Sequence, residues 1–246
     1  MPNQKFPDLF HDIFKKTTRI SILTGAGVSA ESGMPTFRGE DGWWRNYRAE
    51  DLATPEAFAR DPKLVWEWYD MRRTIIHDTS PNPAHKTIAE MEKYFENFKL
   101  ITQNVDGLHN RAGSKNIIEL HGNLWRVKCL EEGKKFEFLE VPLSEIPPKC
   151  DCGALLRPDV VWFGEMLPRE QLDAAFEAAQ VCEVMFVVGT SAVVQPAASI
   201  PILAIQSNAA VIEINLEPTP LTDLVDYSFP GKAGEILPKL WELIKK

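Results

Sequence analysis

Arg19-Ile20-Ser21-Ile22-Leu23-Thr24-Gly25-Ala26-Gly27-Val28-Ser29-Ala30-Glu31-Ser32-Gly33 carries the reading of this chain. Its apolar run ends in Gly-x-Gly-x-x-Ala at Gly25, Gly27 and Ala30, the pattern of a buried strand turning sharply into a helix. Glycine there lets backbone come close to a pyrophosphate, and alanine lets the helix sit against the strand. The first expectation is therefore a dinucleotide. Short glycine clusters also close ordinary strand-to-helix turns, and the pattern alone does not separate the two.

The residues that follow narrow the chemistry. A hydride-transferring Rossmann enzyme runs a full helix and a second strand ending in an acidic residue about 20 positions on. Here Gly33-Met34-Pro35 cuts the helix short, and Thr36-Phe37-Arg38-Gly39-Glu40-Asp41-Gly42 follows as a polar loop with one aromatic and one cation. The dehydrogenase reading loses ground.

With 246 residues the chain is long enough for one α/β domain with a sizeable core plus insertions. A net charge of −8 and the lack of a basic run argue against nucleic acid or an anionic membrane as the main partner. No apolar stretch nears the roughly 18 residues a membrane span needs. Met1-Pro2-Asn3-Gln4-Lys5 does not open a signal peptide. The expectation is a soluble cytoplasmic protein. Three of the four cysteines cluster between Cys129 and Cys152, which suits a metal site or its remnant better than a disulfide framework.

Moving outward from the glycine turn, Phe6, Leu9, Phe10, Ile13 and Phe14 have helical spacing. Trp43 to Asp78 reads as a helical module interrupted by Pro55 and Pro62, with Asp61-Pro62 starting a helix. Pro83 to Phe95 is another helix. Phe98 to Thr102 is a strand opening into Gln103-Asn104-Val105-Asp106-Gly107-Leu108-His109, and Ile117 to Leu120 a second one ending in His121-Gly122. Cys129 to Cys152 breaks the rhythm as an insertion, and Leu155 to Glu165 leads back. A helix at Gln171 to Gln180, strands at Val184 to Ser191, Ala210 to Glu217 and Asp226 to Phe229, and a helix from Gly234 complete the pattern. Alternation of this kind predicts a doubly wound, mostly parallel α/β sheet, with polar clusters gathering beyond the carboxyl ends of its strands.

Gly25-Ala26-Gly27-Val28-Ser29, Thr36-Phe37-Arg38, Thr102 to His109, Leu120-His121-Gly122, Val161-Trp162-Phe163-Gly164-Glu165 and Gly189-Thr190-Ser191, in this order, resemble the motifs of the sirtuins. The resemblance spans about residue 20 to about residue 235. It implies an NAD-dependent protein-lysine deacylase. In that reaction the acyl-lysine carbonyl oxygen attacks the ribose carbon bearing nicotinamide, and the acyl group ends on O-acyl-ADP-ribose. An amide oxygen is a poor nucleophile, so positioning and charge stabilisation must supply much of the barrier reduction.

Carried over residue by residue, the resemblance implies that Gly25, Ala26, Gly27 and Ser29 meet the phosphates and that Arg38 adds a cation. Phe37 would cover the reactive ribose. Gln103, Asn104 and Asp106 would hold ribose hydroxyls and the nicotinamide carboxamide, and Gly189, Thr190, Ser191, Asn215, Leu216, Glu217 and Ala233 the rest of NAD. For Asn215 to Glu217 an ordinary strand-to-turn ending before Pro218 competes. His121 is expected as general base, with Asn104 beside it as a second catalytic residue, because an imidazole titrating near neutrality can take a proton from a ribose hydroxyl. Val161, Phe163, Gly164, Glu165 and Val193 are expected to form the walls between which an acylated lysine peptide adds as a strand.

Tyr69 and Arg72, spaced i, i+3 in the helical module, would face one way. They resemble the pair of sirtuins that prefer succinyl- or malonyl-lysine, since a guanidinium and a phenol can grip a carboxylate. Arg72 could instead pair with Asp70 or Glu67 on a solvated face. The family's two Cys-x-x-Cys pairs are altered here to Cys129 with Glu132 and a compressed Cys150-Asp151-Cys152. Zinc is a possible ligand, and the short second pair leads us to expect a degenerate, weakened or lost site.

The resulting expectation is a Rossmann-like NAD-binding domain from 1–34, 79–122 and 155–246. A smaller domain is built from the helical module 35–78 and a degenerate zinc-ribbon-like module 123–154. An NAD-dependent protein ADP-ribosyltransferase and a non-catalytic NAD-sensing module are the competing functions.

Overall fold

The computed structural model describes residues 13–34, 43–44 and 47–245. Its first strand, β1 (Arg19–Thr24), lies inside a six-stranded sheet with β4 (Asn97–Thr102) and β5 (Ile117–Glu119) on one side. On the other side are β9 (Val184–Val188), β10 (Ala210–Asn215) and β11 (Tyr227–Pro230). Every pairing in this sheet is parallel. The chain runs outward from β1 through β4 to β5, then returns to build the other half from β9. That reversal is a topological switch point, and the crevice it leaves lies at the strands' carboxyl ends.

The sheet is covered on both faces, which is why its inner strands are apolar throughout rather than alternating. On one face α5 (Pro83–Tyr94) and α9 (Ala233–Ile244) bury Ile88, Met91, Leu237, Leu240 and Trp241 against Ile20, Ile22, Phe186 and Ile212. On the other, α7 (Arg169–Val181) and α8 (Ser199–Gln206) bury Ala175, Ala179, Ile200 and Ala204 against Leu23, Ile101, Met185 and Val187. Successive residues of β1 thus feed different cores, as the period of two demands. Sequence periodicity did not disclose α8. Its apolar surface is too continuous to show a helical stripe.

The remaining elements form a second body. A short antiparallel hairpin, β2 (Trp43–Trp44) with β3 (Tyr47–Arg48), stands where the sequence suggested helix. It is followed by α2 (Ala49–Leu52), α3 (Pro55–Arg60) and α4 (Pro62–Asp78). The start of α4 is fixed as expected: Pro62 occupies the first turn and the Asp61 carboxylate accepts from the Leu64 N–H at 3.0 Å. A three-stranded antiparallel sheet of β6 (Gly122–Cys129), β7 (Lys135–Glu137) and β8 (Leu156–Val160) completes this body. The strand at 156–160 therefore pairs with β6. The sequence had read this stretch as the return to the parallel sheet.

The two insertions share one core, in which Trp66, Trp68, Tyr69 and Ile76 pack with Leu124, Val127, Leu156 and Trp162. Polar ties cross it too. The Trp66 indole donates to the Leu156 carbonyl at 2.8 Å, and the buried Arg73 guanidinium donates to the carbonyls of Leu124, Phe138 and Glu140. Among the described residues, no helix is long and apolar enough to cross a membrane.

Candidate active site

The glycine turn meets the end of β9 at backbone contact. The Gly25 N–H donates to the Val188 carbonyl at 3.1 Å and the Gly27 N–H to the Gly189 carbonyl at 2.8 Å. A Cβ on Gly27 would lie 2.8 Å from Gly189, and one on Gly189, whose φ is +61°, would lie 2.4 Å from the Val28 nitrogen. The glycines are therefore needed first for two loops to touch. Their N–H groups, which the sequence reading assigned to phosphate, are already engaged. The helix α1 (Ala26–Ala30) has only five residues, so its dipole is slight.

Beneath this turn a hydrogen-bonded chain joins the ends of β1, β4 and β9. The Asn104 amide donates to the Gly25 carbonyl at 3.0 Å and to the Ser29 hydroxyl at 3.1 Å. The Ser29 hydroxyl donates to Asp106 at 2.7 Å, and the other Asp106 oxygen accepts from the Leu108 N–H at 2.8 Å. The Gln103 amide donates to the Thr190 hydroxyl at 3.0 Å. Burial pushes the Asp106 carboxyl up, while the Leu108 N–H, the Ser29 hydroxyl, Arg72 and Arg111 hold it down.

His121 sits between the last residue of β5 and the first of β6. Its Nδ1 lies 2.9 Å from the Gln103 carbonyl. A carbonyl only accepts, so Nδ1 carries the proton and Nε2 keeps its lone pair. Burial lowers the imidazole pKa, opposed by the Gln103 carbonyl, so the neutral ring prevails at neutral pH.

Tyr69 and Arg72 of α4 are both buried, and Arg72 lies near enough to Asp106 for each charge to act on the other. The Tyr69 hydroxyl accepts from the Trp162 indole at 2.8 Å, and the Arg72 guanidinium lies 5.2 Å from the centre of the Trp68 ring. Burial lowers the Arg72 pKa, with Tyr69 and Asp106 acting against it. Asp70 accepts from the Leu143 N–H at 3.0 Å. The solvated-face alternative for Arg72 does not hold.

Past His121, the Val161 N–H donates to the His121 carbonyl and the Phe163 N–H to the Ala53 carbonyl, each at 2.9 Å. Gly164 has a φ of +87°. Both Glu165 oxygens are held by Arg157, at 2.6 and 2.9 Å, so this carboxylate shapes its own turn. Phe163, Met166, Val193 and Val194 are exposed apolar side chains.

The Asn215 amide donates to the Glu217 carbonyl at 2.8 Å, closing the strand-to-turn ending named as a competitor, and Leu216 is exposed. Ala233 opens α9, where the Gly234 N–H donates to Glu31 at 2.7 Å and brings that helix to the glycine turn. Ser191 follows Thr190 at the end of β9. Phe37 and Arg38 lie outside the described residues.

Sequence reading gave no role to His85 and His109, whose rings lie 4.7 Å apart, tilted by 57°, beside Ser29 and Thr24. Burial holds His85 at about 4 and His109 well below its ordinary value, so both are neutral parts of the platform. The Asn82-Pro83-Ala84-His85 helix start was a usable signal: the Asn82 amide oxygen caps the Ala84 N–H at 2.9 Å and the His85 ring accepts from the Asn82 N–H.

The cysteine cluster is better formed than its spacing suggested. The donor atoms of Cys129, Glu132, Cys150 and Cys152 all lie within 4.8 Å of one another, with 3.5 Å between the Cys129 and Cys152 sulfurs. Zinc–sulfur bonds of about 2.3 Å in a tetrahedron call for sulfurs about 3.8 Å apart. Three thiolates and a carboxylate fit that demand in number and chemistry. The turns at Gly133 and Gly153, both at positive φ, bring them together despite the compressed second pair.

The Sir2 family model matches residues 25–196. The chain belongs to the Sir2 family. An NAD-dependent protein deacylase of Aquifex aeolicus is 56% identical over 228 residues, covering 92% of this chain and 95% of that protein. One from Pyrococcus furiosus is 55% identical over 243 residues, covering 95% and 96%. A solved Sir2 homologue–NAD complex superposes with a TM-score of 0.91 at 52% identity, covering 96% of this chain and 93% of that one. A Sir2–p53 peptide–NAD+ complex does so at 0.84 and 33%, covering 96% and 97%. The parallel sheet with a smaller body built from insertions is thus the architecture expected from the sequence, and the antiparallel sheet within that body is what the structure adds.

Proposed function

We propose that this Sir2 family member removes acyl groups from protein lysine in an NAD-dependent reaction, and that succinyl- and malonyl-lysine are its preferred substrates. The observation that carries the reaction is His121, its Nδ1 turned to the Gln103 carbonyl and its Nε2 without a hydrogen bond among the described residues, joined through Gln103 to the polar chain of Asn104, Ser29 and Asp106. NAD-binding alone does not call for a base at that place. The relatives named as deacylases and the NAD and peptide complexes of similar structures support the same reading.

NAD, when bound, supplies an electrophilic ribose carbon whose leaving group is nicotinamide. Ala26, Thr190 and Ser191 would hold its phosphates, Gln103, Asn104 and Asp106 its nicotinamide ribose, and Asn215, Leu216, Glu217 and Ala233 its adenosine end. Backbone polar groups of 161–164 and of Val193 would align the peptide. The Nε2 of His121 would take the proton of a ribose hydroxyl.

The acyl preference rests on burial. Tyr69 and Arg72 are both buried on α4, one helical turn apart, and a guanidinium beside a phenol is suited to grip an acyl carboxylate. A short neutral acetyl group gives it nothing to bind. Purified protein given NAD and one peptide in acetyl, malonyl and succinyl forms is expected to release nicotinamide with all three, with kcat/KM highest for the two carboxylates. No nicotinamide release from any form overturns the reaction, and an acetyl optimum overturns the preference. Radiolabel from NAD retained on protein would favour transfer of ADP-ribose.

We also propose that Cys129, Glu132, Cys150 and Cys152 hold one structural zinc ion. Protein purified without added zinc is expected to contain about one equivalent. Glu132→Ala is expected to weaken retention against a chelator by at least the roughly 10–100-fold that losing an outer partner costs. Metal-free protein with an unchanged melting curve would reject the site.

A further inference from the structure

His121 stands at the joint between two sheets. The parallel sheet has its edge at β5, which ends at Glu119, the antiparallel strand β6 begins at Gly122, and Leu120-His121 is all that links these two strands. A two-residue link of this kind does not hold an imidazole still by itself. Something must fix the angle between the sheets.

The residues flanking the link do so. The Asn123 amide donates to Glu119 Oε1 at 2.6 Å, bridging from one sheet to the other directly across His121. The second carboxylate oxygen, Oε2, takes the Arg126 guanidinium at 2.7 Å. The Arg126 Nε reaches Asp159 Oδ2 at 3.2 Å, and Lys135 holds the remaining Asp159 oxygen at 2.7 Å. Asp159 is the register partner of Asn123 on β8. Backbone closes the same corner: Gly122 has a φ of +79°, and a Cβ there would lie 2.0 Å from the Asp159 carbonyl oxygen.

We propose that Glu119, with Arg126 and Asp159, is a positioning device that sets His121 against the Gln103 carbonyl. The inference rests on the reading of His121 as the base, and adds to it the residues that orient it. Two carboxylates and two cations make the network neutral overall. It serves as a clamp and leaves the field at the ring nearly unchanged. Of the groups packed around His121, burial and the Gln103 carbonyl are what set its titration.

Glu119→Gln keeps the shape and the Asn123 contact but weakens the hold on Arg126. It is expected to lower kcat by about tenfold, since sub-ångström displacement of a base is costly, while KM for NAD stays within about twofold. A loosened ring is more solvated, so the acid limb of kcat/KM is expected to move upward toward the ordinary histidine value of about 6.5. Simple loss of a nearby negative charge would move that limb downward. Arg126→Met, at a more exposed residue, is expected to give the same shift, and the double variant no more than either single one.

A lowered melting temperature with an unmoved acid limb in both variants, a downward shift, or additive losses in the double variant overturns the proposal. His121→Ala separates the two ideas. Full activity in that variant removes the base reading, whereas an inactive His121→Ala beside an unperturbed Glu119→Gln removes the clamp alone.

Discussion

His121→Ala is expected to lower kcat for acyl-peptide turnover by roughly 100- to 10,000-fold, the range general bases supply, with a melting temperature close to that of the parent protein. The side chain is only partly enclosed, and among the described residues its one hydrogen bond is to the Gln103 carbonyl, so little of the fold depends on it. What disappears is the acceptor at Nε2. The sign of the pH dependence follows. Protonation of Nε2 abolishes the base, and burial makes that protonation harder than in water, so the parent enzyme's activity falls only as the pH drops below the usual histidine range. Rates of nicotinamide release across pH 5 to 8 check both statements. Residual activity within about threefold of the parent would reject the assignment.

The second large effect is one of selectivity. Arg72→Met keeps the length and packing of the side chain on α4 and deletes its charge. Breaking a buried charge pair costs about 2–5 kcal/mol, or roughly 30- to 4,000-fold, so kcat/KM for succinyl- and malonyl-peptides is expected to collapse by that factor. Deacetylation should change by less than about tenfold. It does not escape entirely, because Arg72 is among the groups that hold the Asp106 carboxyl down against the upward push of burial. Parallel loss of all three activities would show that Arg72 serves Asp106 and does not read the acyl group. Steady-state kinetics on matched peptides separates the two outcomes.

Particular residues explain what could be read in advance. The strand and turn from Arg19 to Gly33 were legible because burial on two faces leaves an unbroken apolar run, and a glycine turn has few substitutes. Tyr69 and Arg72 were legible because helical spacing alone sets them on one side. The antiparallel sheet was not. Its strands β6 and β8 are irregular, with a register shift between Asn123 and Val127, and they mix charges with apolar residues because both ends carry polar networks. The role of Gly25 and Gly27 was half read. Their need for close approach was clear, but the nearest partner is the backbone of Gly189, which lies far away in sequence. Glu119, Arg126 and Asp159 could not be grouped without the fold, since their association depends on β5, β6 and β8 meeting at one corner. The compressed Cys150-Asp151-Cys152 suggested strain, yet Glu132 and two glycine turns bring four donors onto one centre.

The shared core of the two insertions has a consequence for biosynthesis. The segment ending at Asp78 leaves the ribosome 78 residues before Leu156, the strand residue whose carbonyl receives the Trp66 indole. At translation rates of about 5–20 residues per second, that apolar helix waits on the order of 4–16 s for its counterpart. During the interval the core of Trp66, Trp68 and Ile76 lacks the wall that β8 supplies, and a nascent chain in that condition is a natural client for chaperones that bind exposed aromatic segments.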